Sequence, residues 1–262
     1  MSAGNTPTAS VVSAGRPVRV TVWSENRVEQ SDPDVRAVYP DGMHETIAGA
    51  IRDHLRDRVE VRTATLDEAG HGLDGGVLET TDVLTWWGHL FHDDVADDVA
   101  AAVQQRVLDG MGLVVLHSGH LSKPFKRLMG TSCNLRWRES DDRELVWTVN
   151  PAHPVARGVP PVFAIEPQEM YGEFFDIPPP DEIVFVSSFT GGEVFRSGCC
   201  FLRGKGRIVF FSPGHEHFPV YHDAHVRRVV ANAVLWSRVE QPSPVETWTC
   251  VESPKGWFEE RG

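Results

Sequence analysis

The run Gly112-Leu113-Val114-Val115-Leu116 constrains this chain more than any other segment. Five consecutive residues without a polar side chain leave no face for water. As a strand, the run must be covered on both sides, which is the situation of an inner strand in a parallel sheet. Parallel neighbours need crossover connections, and the flanking sequence supplies them. Val18-Arg19-Val20-Thr21-Val22-Trp23 and residues 59–64, 81–87 and 206–211 read as further strands from their β-branched and aromatic content. Ile47, Ile51 and Leu55 predict an amphipathic helix over 44–55. Val95, Val99, Val103 and Val107 predict a second that stops near Gly110, and Val226, Val229, Val230, Ala233 and Val234 a closing third. The fold class expected is α/β, with right-handed crossovers and a mostly parallel central sheet.

At 262 residues the chain is at the upper end for one domain. Residues 1–17 are small and polar, without a charged start followed by an apolar segment, and read as a disordered leader. Residues 18–240 read as a single domain. Its rhythm changes over about 134–201, where shorter strands near Trp137, Leu145 and Ile183 and the turn Ile177-Pro178-Pro179-Pro180 mark an elaboration. Residues 241–262 form a proline-punctuated tail. The formal net charge of −12 argues against nucleic acid, which needs clustered Lys and Arg. No apolar stretch approaches the ~20 residues of a membrane span. Four cysteines without CxxC spacing fit reduced thiols in a cytoplasmic protein better than a disulfide or thiolate zinc framework. The aromatic content of 134–201 and of the tail leads us to expect a homo-oligomer.

In an open parallel sheet, ligands bind beyond the carboxyl ends of the strands. His89 follows the third strand, His117 and His120 the fourth, and His215 the last, while His44 opens the first helix on the same side. Five of the twelve histidines therefore fall on one rim. His54 and His71 lie on helix or loop surfaces and read as solvated. Neutral imidazole is the commonest nitrogen ligand of zinc, so His44, His89, His117 and His215 are candidate ligands of a divalent ion, zinc first. Imidazoles titrating near neutrality also serve as general acids and bases, and without HExxH spacing the sequence leaves both uses open. Glu169 and Glu173, flanking Met170-Tyr171-Gly172, are with His120 the candidates for proton transfer, and Glu216 is the other carboxylate. Leu116-His117-Ser118-Gly119-His120 has the look of a nucleophile elbow but is not GxSxG, and Ser118 lacks an assignable base.

Tyr39-Pro40-Asp41-Gly42-Met43-His44, Trp87-Gly88-His89, Leu116-His117-Ser118-Gly119-His120, Glu169-Met170-Tyr171 and Ser212-Pro213-Gly214-His215-Glu216, in that order, resemble the trehalose-utilisation (ThuA-like) family. So does the stretch from Ser122-Lys123-Pro124-Phe125 to Cys133. The resemblance covers about residues 18–238. It implies a class I glutamine amidotransferase type of fold, a flavodoxin-like three-layer sandwich, and a link to carbohydrate catabolism beside sugar oxidoreductases. His117 stands where amidotransferase relatives carry a catalytic thiol, which excludes glutamine hydrolysis by that route. The leading expectation is then a metal-dependent enzyme that isomerises, hydrates or eliminates beside the carbonyl of a sugar or keto-sugar. Trp87, Tyr171 and Ser118 would contact the substrate, with Trp86 adding to an aromatic platform. The alternatives are a non-catalytic sugar-binding partner of an oxidoreductase and a Ser118-dependent hydrolase.

Overall fold

Leu113 and Val115 face one layer of helices and Val114 and Leu116 the other, and all four are fully buried. The computed structural model describes residues 16–240 and Gly256. The leader expected at 1–17, except Arg16 and Pro17, and the tail expected at 241–262, except Gly256, lie outside the described residues. The first half of the chain forms β1 (Val18–Ser24), α1 (Val28–Ser31), α2 (Pro33–Val38), α3 (Met43–Leu55), β2 (Val59–Thr65), β3 (Val83–Trp87), α4 (Asp97–Leu108), β4 (Gly112–Leu116) and α5 (Lys123–Met129). The second half forms β5 (Arg136–Thr148), β6 (Val162–Gly172), β7 (Glu182–Phe189), β8 (Val194–Arg203), β9 (Gly206–Phe211) and α6 (Ala224–Ser237).

All nine strands join one sheet in the order β2-β1-β3-β4-β9-β8-β7-β5-β6. The run β2-β1-β3-β4-β9 is parallel. The run β9-β8-β7-β5-β6 is antiparallel. The sheet is therefore mixed, not mostly parallel as the sequence suggested. The physical reason is in the connections: helices link β1 to β2 and β3 to β4, whereas β7, β8 and β9 follow one another through short turns that only antiparallel neighbours can use. The segment expected as an elaboration continues the same sheet. On one face, Ile47 and Ile51 of α3 and Val226 and Val230 of α6 cover the parallel strands. On the other, Val103 and Val107 of α4 and Phe125 of α5 do so. Each fully buried side chain of this size contributes ~1.5–3 kcal/mol. Asp32, Ser122 and Asp223 cap the starts of α2, α5 and α6, Asp223 accepting the His225 and Val226 N–H groups at 2.8 and 3.0 Å. No helix among the described residues is long and apolar enough to cross a membrane.

Glu144 of β5 lies in the antiparallel half, buried, with the Ser187 hydroxyl donating to its Oε1 at 2.5 Å. Burial pushes this carboxyl up to about 7 against the partial opposition of Ser187. The folded state thus holds a proton that the unfolded chain releases near pH ~4.3. The stability that this proton confers is present at low pH and is lost as pH rises from there to about 7. We expect Glu144→Gln, which stays neutral, to raise the thermal midpoint above pH 7 and to lose that advantage below pH ~5. Melting curves across pH check this; an advantage that persists at low pH would contradict it.

Candidate active site

Trp87, Leu116 and Phe211, the last residues of β3, β4 and β9, stand opposite one another in register, so the loops that follow start level. Each loop brings a histidine within one to four residues of its strand. His117 turns sharply with φ +49°, a left-handed backbone uncommon for a residue with a Cβ. Its Nδ1 donates to the Ser212 carbonyl at 2.8 Å, tying the β4 exit to the β9 exit. The Trp87 indole N–H donates to the Gly214 carbonyl at 3.0 Å, tying β3 to the same loop. Gly214 is required there: a Cβ would sit 2.2 Å from the Tyr221 hydroxyl and 3.1 Å from the His117 Cβ. Glu25, buried just after β1, accepts the Leu90 and Phe91 N–H groups and so fixes the loop that carries His89.

The three rings converge. His89 and His215 have ring centres 5.3 Å apart, His117 and His215 5.6 Å, and His89 and His117 6.2 Å. Two carboxylates complete the cluster. Glu216 Oε1 is 2.5 Å from His89 Nδ1, and Glu169 Oε2 is 3.0 Å from His117 Nε2. Burial disfavours a charged His89, but the Glu216 hydrogen bond and charge outweigh it and raise the imidazole. By the same pairing Glu216 lies well below the usual carboxylate range despite its burial. Glu169 is lowered too, its burial overcome by His117. His215 is pushed down to about 4, first by burial and then by the neighbouring imidazoles, so its ring is neutral.

One oxygen of each carboxylate is left over. Glu216 Oε2 and Glu169 Oε2 are buried and have no aligned hydrogen-bond donor; the His117 approach to Glu169 is close but off the bond direction. Buried carboxylate oxygens without a donor are costly and call for a proton or a cation. One nitrogen each of His89 and His215 and one oxygen of Glu216 lie within 4.8 Å of one another. This donor set, two imidazoles and a carboxylate from strand-end loops, fits a divalent ion such as zinc.

Ser118, His120 and Tyr171 line the cavity of about 430 Å³ above this cluster, together with His89, Glu169 and His215. His120 Nδ1 faces the Cys133 carbonyl at 2.7 Å and must carry the proton, since a carbonyl only accepts. Burial pushes His120 down to about 3, so its Nε2 keeps a lone pair. Its Nε2 is thus an acceptor on a residue that lines the cavity. Tyr171 stacks flat on His117 at 4.9 Å, and its hydroxyl meets Ser118 Oγ at 2.7 Å and His117 Nε2 at 3.3 Å. Burial and the Glu169 charge raise the phenol well above 10, so it stays protonated.

Four sequence candidates sit elsewhere. His44 meets Ser24 Oγ at 3.5 Å, and neither it nor His117, also expected as a ligand, belongs to a described group of donors close enough to share one ion. The first turn of α3 points the His44 ring at the end of β1 rather than across the sheet. Glu173 is held by Arg196 at 2.8 and 2.9 Å and by the Phe175 and Arg196 N–H groups, and it faces a different surface groove. It follows β6, where the alternation that brings Glu169 and Tyr171 inward has ended. Trp87 is fully buried and acts through its indole N–H, and Trp86 stacks on Trp23 in the core at 3.9 Å. Neither forms a platform. The sequence reading missed Trp137 and Glu139 at the cavity wall and Glu25 behind it. Trp137 comes to the site only through antiparallel pairing with Tyr171, a long-range register that no local pattern announces.

A three-layer α/β sandwich with a histidine-rich cleft at the carboxyl edge of its parallel strands is a glutamine amidotransferase-like fold. Residues 19–237 match the family model described as trehalose utilisation, ThuA, and the chain belongs to that family. Among solved structures, it is similar to a ThuA-like protein from Bacteroides uniformis, with 15% identity, TM-score 0.60, and 89% of this chain and 95% of that one covered. A ThuA-like protein from Parabacteroides merdae gives 13%, 0.59, 87% and 94%. A glutamine amidotransferase from Thermotoga maritima gives 13%, 0.52, 83% and 96%. Comparison with curated protein sequences finds no match.

Because the Gly214 position admits no side chain, Gly214→Ala should displace the loop carrying His215. We expect it to cost ~1–3 kcal/mol of stability by overpacking, measured by urea unfolding. Trp87→Phe, which removes the N–H and leaves a cavity where the larger indole was buried, should cost more than the ~0.5–1.5 kcal/mol of the hydrogen bond alone. Wild-type stability for Gly214→Ala would contradict the packing described.

Proposed function

We propose that this chain is a metal-dependent enzyme of carbohydrate utilisation acting beside the carbonyl of a sugar or keto-sugar. Family membership supports the carbohydrate role. The chemistry rests on one observation: three strand-end imidazoles converge on two buried carboxylates whose outer oxygens lack donors. His89, His215 and Glu216 would hold the ion. When bound, a divalent ion supplies Lewis acidity toward vicinal oxygens of the substrate.

The remaining groups divide the work of binding and proton movement. Glu169, kept ionised by His117, is the base best placed to take a proton from a carbon or hydroxyl in the cavity, and the stacked Tyr171 holds that pair in place. His120 Nε2 accepts a substrate hydroxyl, and the Ser118 hydroxyl, oriented by Tyr171, binds another. This combination suits isomerisation, hydration or elimination beside a carbonyl. Ser118-dependent hydrolysis is less well supported, because its described partner is a phenol that burial keeps protonated and that cannot serve as base.

Protein purified without a histidine tag should carry about one divalent ion per chain. His89→Ala, His215→Ala and Glu216→Gln should each lose the ion, with helical circular dichroism unchanged. Glu169→Gln should keep the ion yet lower kcat on a keto-sugar by ~10²–10⁴-fold. Elemental analysis and equilibrium dialysis against zinc check these outcomes. A wild-type chain that neither carries nor binds a divalent ion would sink the metal reading.

A further inference from the structure

The cavity has two chemically different ends. The inner end is the histidine and carboxylate cluster. The outer end is built by the loops after β3 and β4 and by the chain entering β5, and its lining is largely apolar: Leu90, Leu121, Leu135 and Trp137, with Asn134 and Glu139 among them. Leu90 is 62% exposed and Trp137 65%, although both residues line the same cavity as fully buried polar groups. An indole left in water at the mouth of a polar cleft is unfavourable for the free protein and favourable once a ring covers it.

The position of Trp137 is fixed by the sheet. In the β5–β6 register Trp137 stands directly opposite Tyr171. Residues so paired share one face with Cβ atoms ~4.5–5.5 Å apart. Trp137 is therefore anchored beside a ring of the inner cluster and extends that wall outward. Two residues on, Glu139 reaches the same cavity, with Oε1 3.9 Å from His215 Nε2. The outer end thus offers a flat aromatic surface with an amide and a carboxylate at its margins. Sugar rings present the matching surface, with C–H groups on one face and hydroxyls around the edge. A volume of about 430 Å³ also exceeds what a single hexose ring fills.

We infer that Trp137 forms the platform of an outer subsite that binds a second ring of the substrate, and so sets specificity for a glycoside over a monosaccharide. This rests on the sugar-acting reading of the inner cluster. Trp137 touches the part of the substrate that does not react; the inner residues touch the part that does.

Trehalose and glucose serve as the probes, titrated calorimetrically into the full-length protein and into Trp137→Ala and Trp137→Phe. Wild type should bind trehalose about tenfold more tightly than glucose, the factor that ~1.4 kcal/mol represents. Trp137→Ala should bring the two affinities within about twofold, with glucose binding unchanged, and Trp137→Phe should restore part of the difference. The exposed position of Trp137 leaves the fold intact in both variants. Equal affinity for the two sugars in wild type, or a preference that survives Trp137→Ala, overturns the outer subsite alone. Binding of neither sugar overturns the sugar reading and this inference with it.

Discussion

The site depends on the level termination of three adjacent parallel strands. Trp87, Leu116 and Phe211 end β3, β4 and β9 in register. Neighbouring strands lie ~4.8 Å apart, and the loops after β3 and β9, which flank β4, bring the His89 and His215 rings to 5.3 Å across it. A shift of one residue in any of these pairings would turn a histidine toward the opposite face and dissolve the cluster. The apolar β4 holds the register because all five of its residues are buried.

Level strands would not suffice without the ties across their exits. His117 bonds the Ser212 carbonyl and Trp87 bonds the Gly214 carbonyl, so the loop bearing His215 and Glu216 is gripped from the ends of β4 and β3. Glu25 does the same for the His89 loop from the other side. These contacts are made within a rigid sheet edge, which is how a cluster holding two buried ionised carboxylates can be maintained. His89 pairs with Glu216 Oε1 and leaves Oε2 without a donor, while His117 lies close to Glu169 Oε2 but off the bond direction. The left-handed backbone at His117 is the local strain that goes with this placement.

The parallel half of the fold was legible because its signals are local. The apolar β4, the Ile47-Ile51-Leu55 stripe of α3 and the valine stripe of α4 all appear where their spacing put them. The antiparallel half was harder. Pro167 interrupts the alternation of Phe163 and Ile165 in β6 and hides a strand, yet β6 is an edge strand of the sheet, where a missing N–H is tolerated. That concealed strand carries Glu169 and Tyr171, so the sequence supplied the right residues without their partners. His89, His117 and His215 were legible as strand-end residues. His44 shared their side of the sheet but not their direction, since the first turn of α3 aims it at Ser24. Glu173 looked equivalent to Glu169 until Arg196 of β8 claimed it. Both distinctions come from pairings between distant strands and loops.

The claim at the centre of this account is that the strand-end cluster holds a divalent ion. Diffraction data collected above and below the zinc absorption edge, from crystals of the full-length protein grown with zinc, test it directly. One anomalous peak is expected at ~2.0–2.2 Å from nitrogens of His89 and His215 and an oxygen of Glu216. A cluster without a peak, or a peak confined to surface residues, would contradict it.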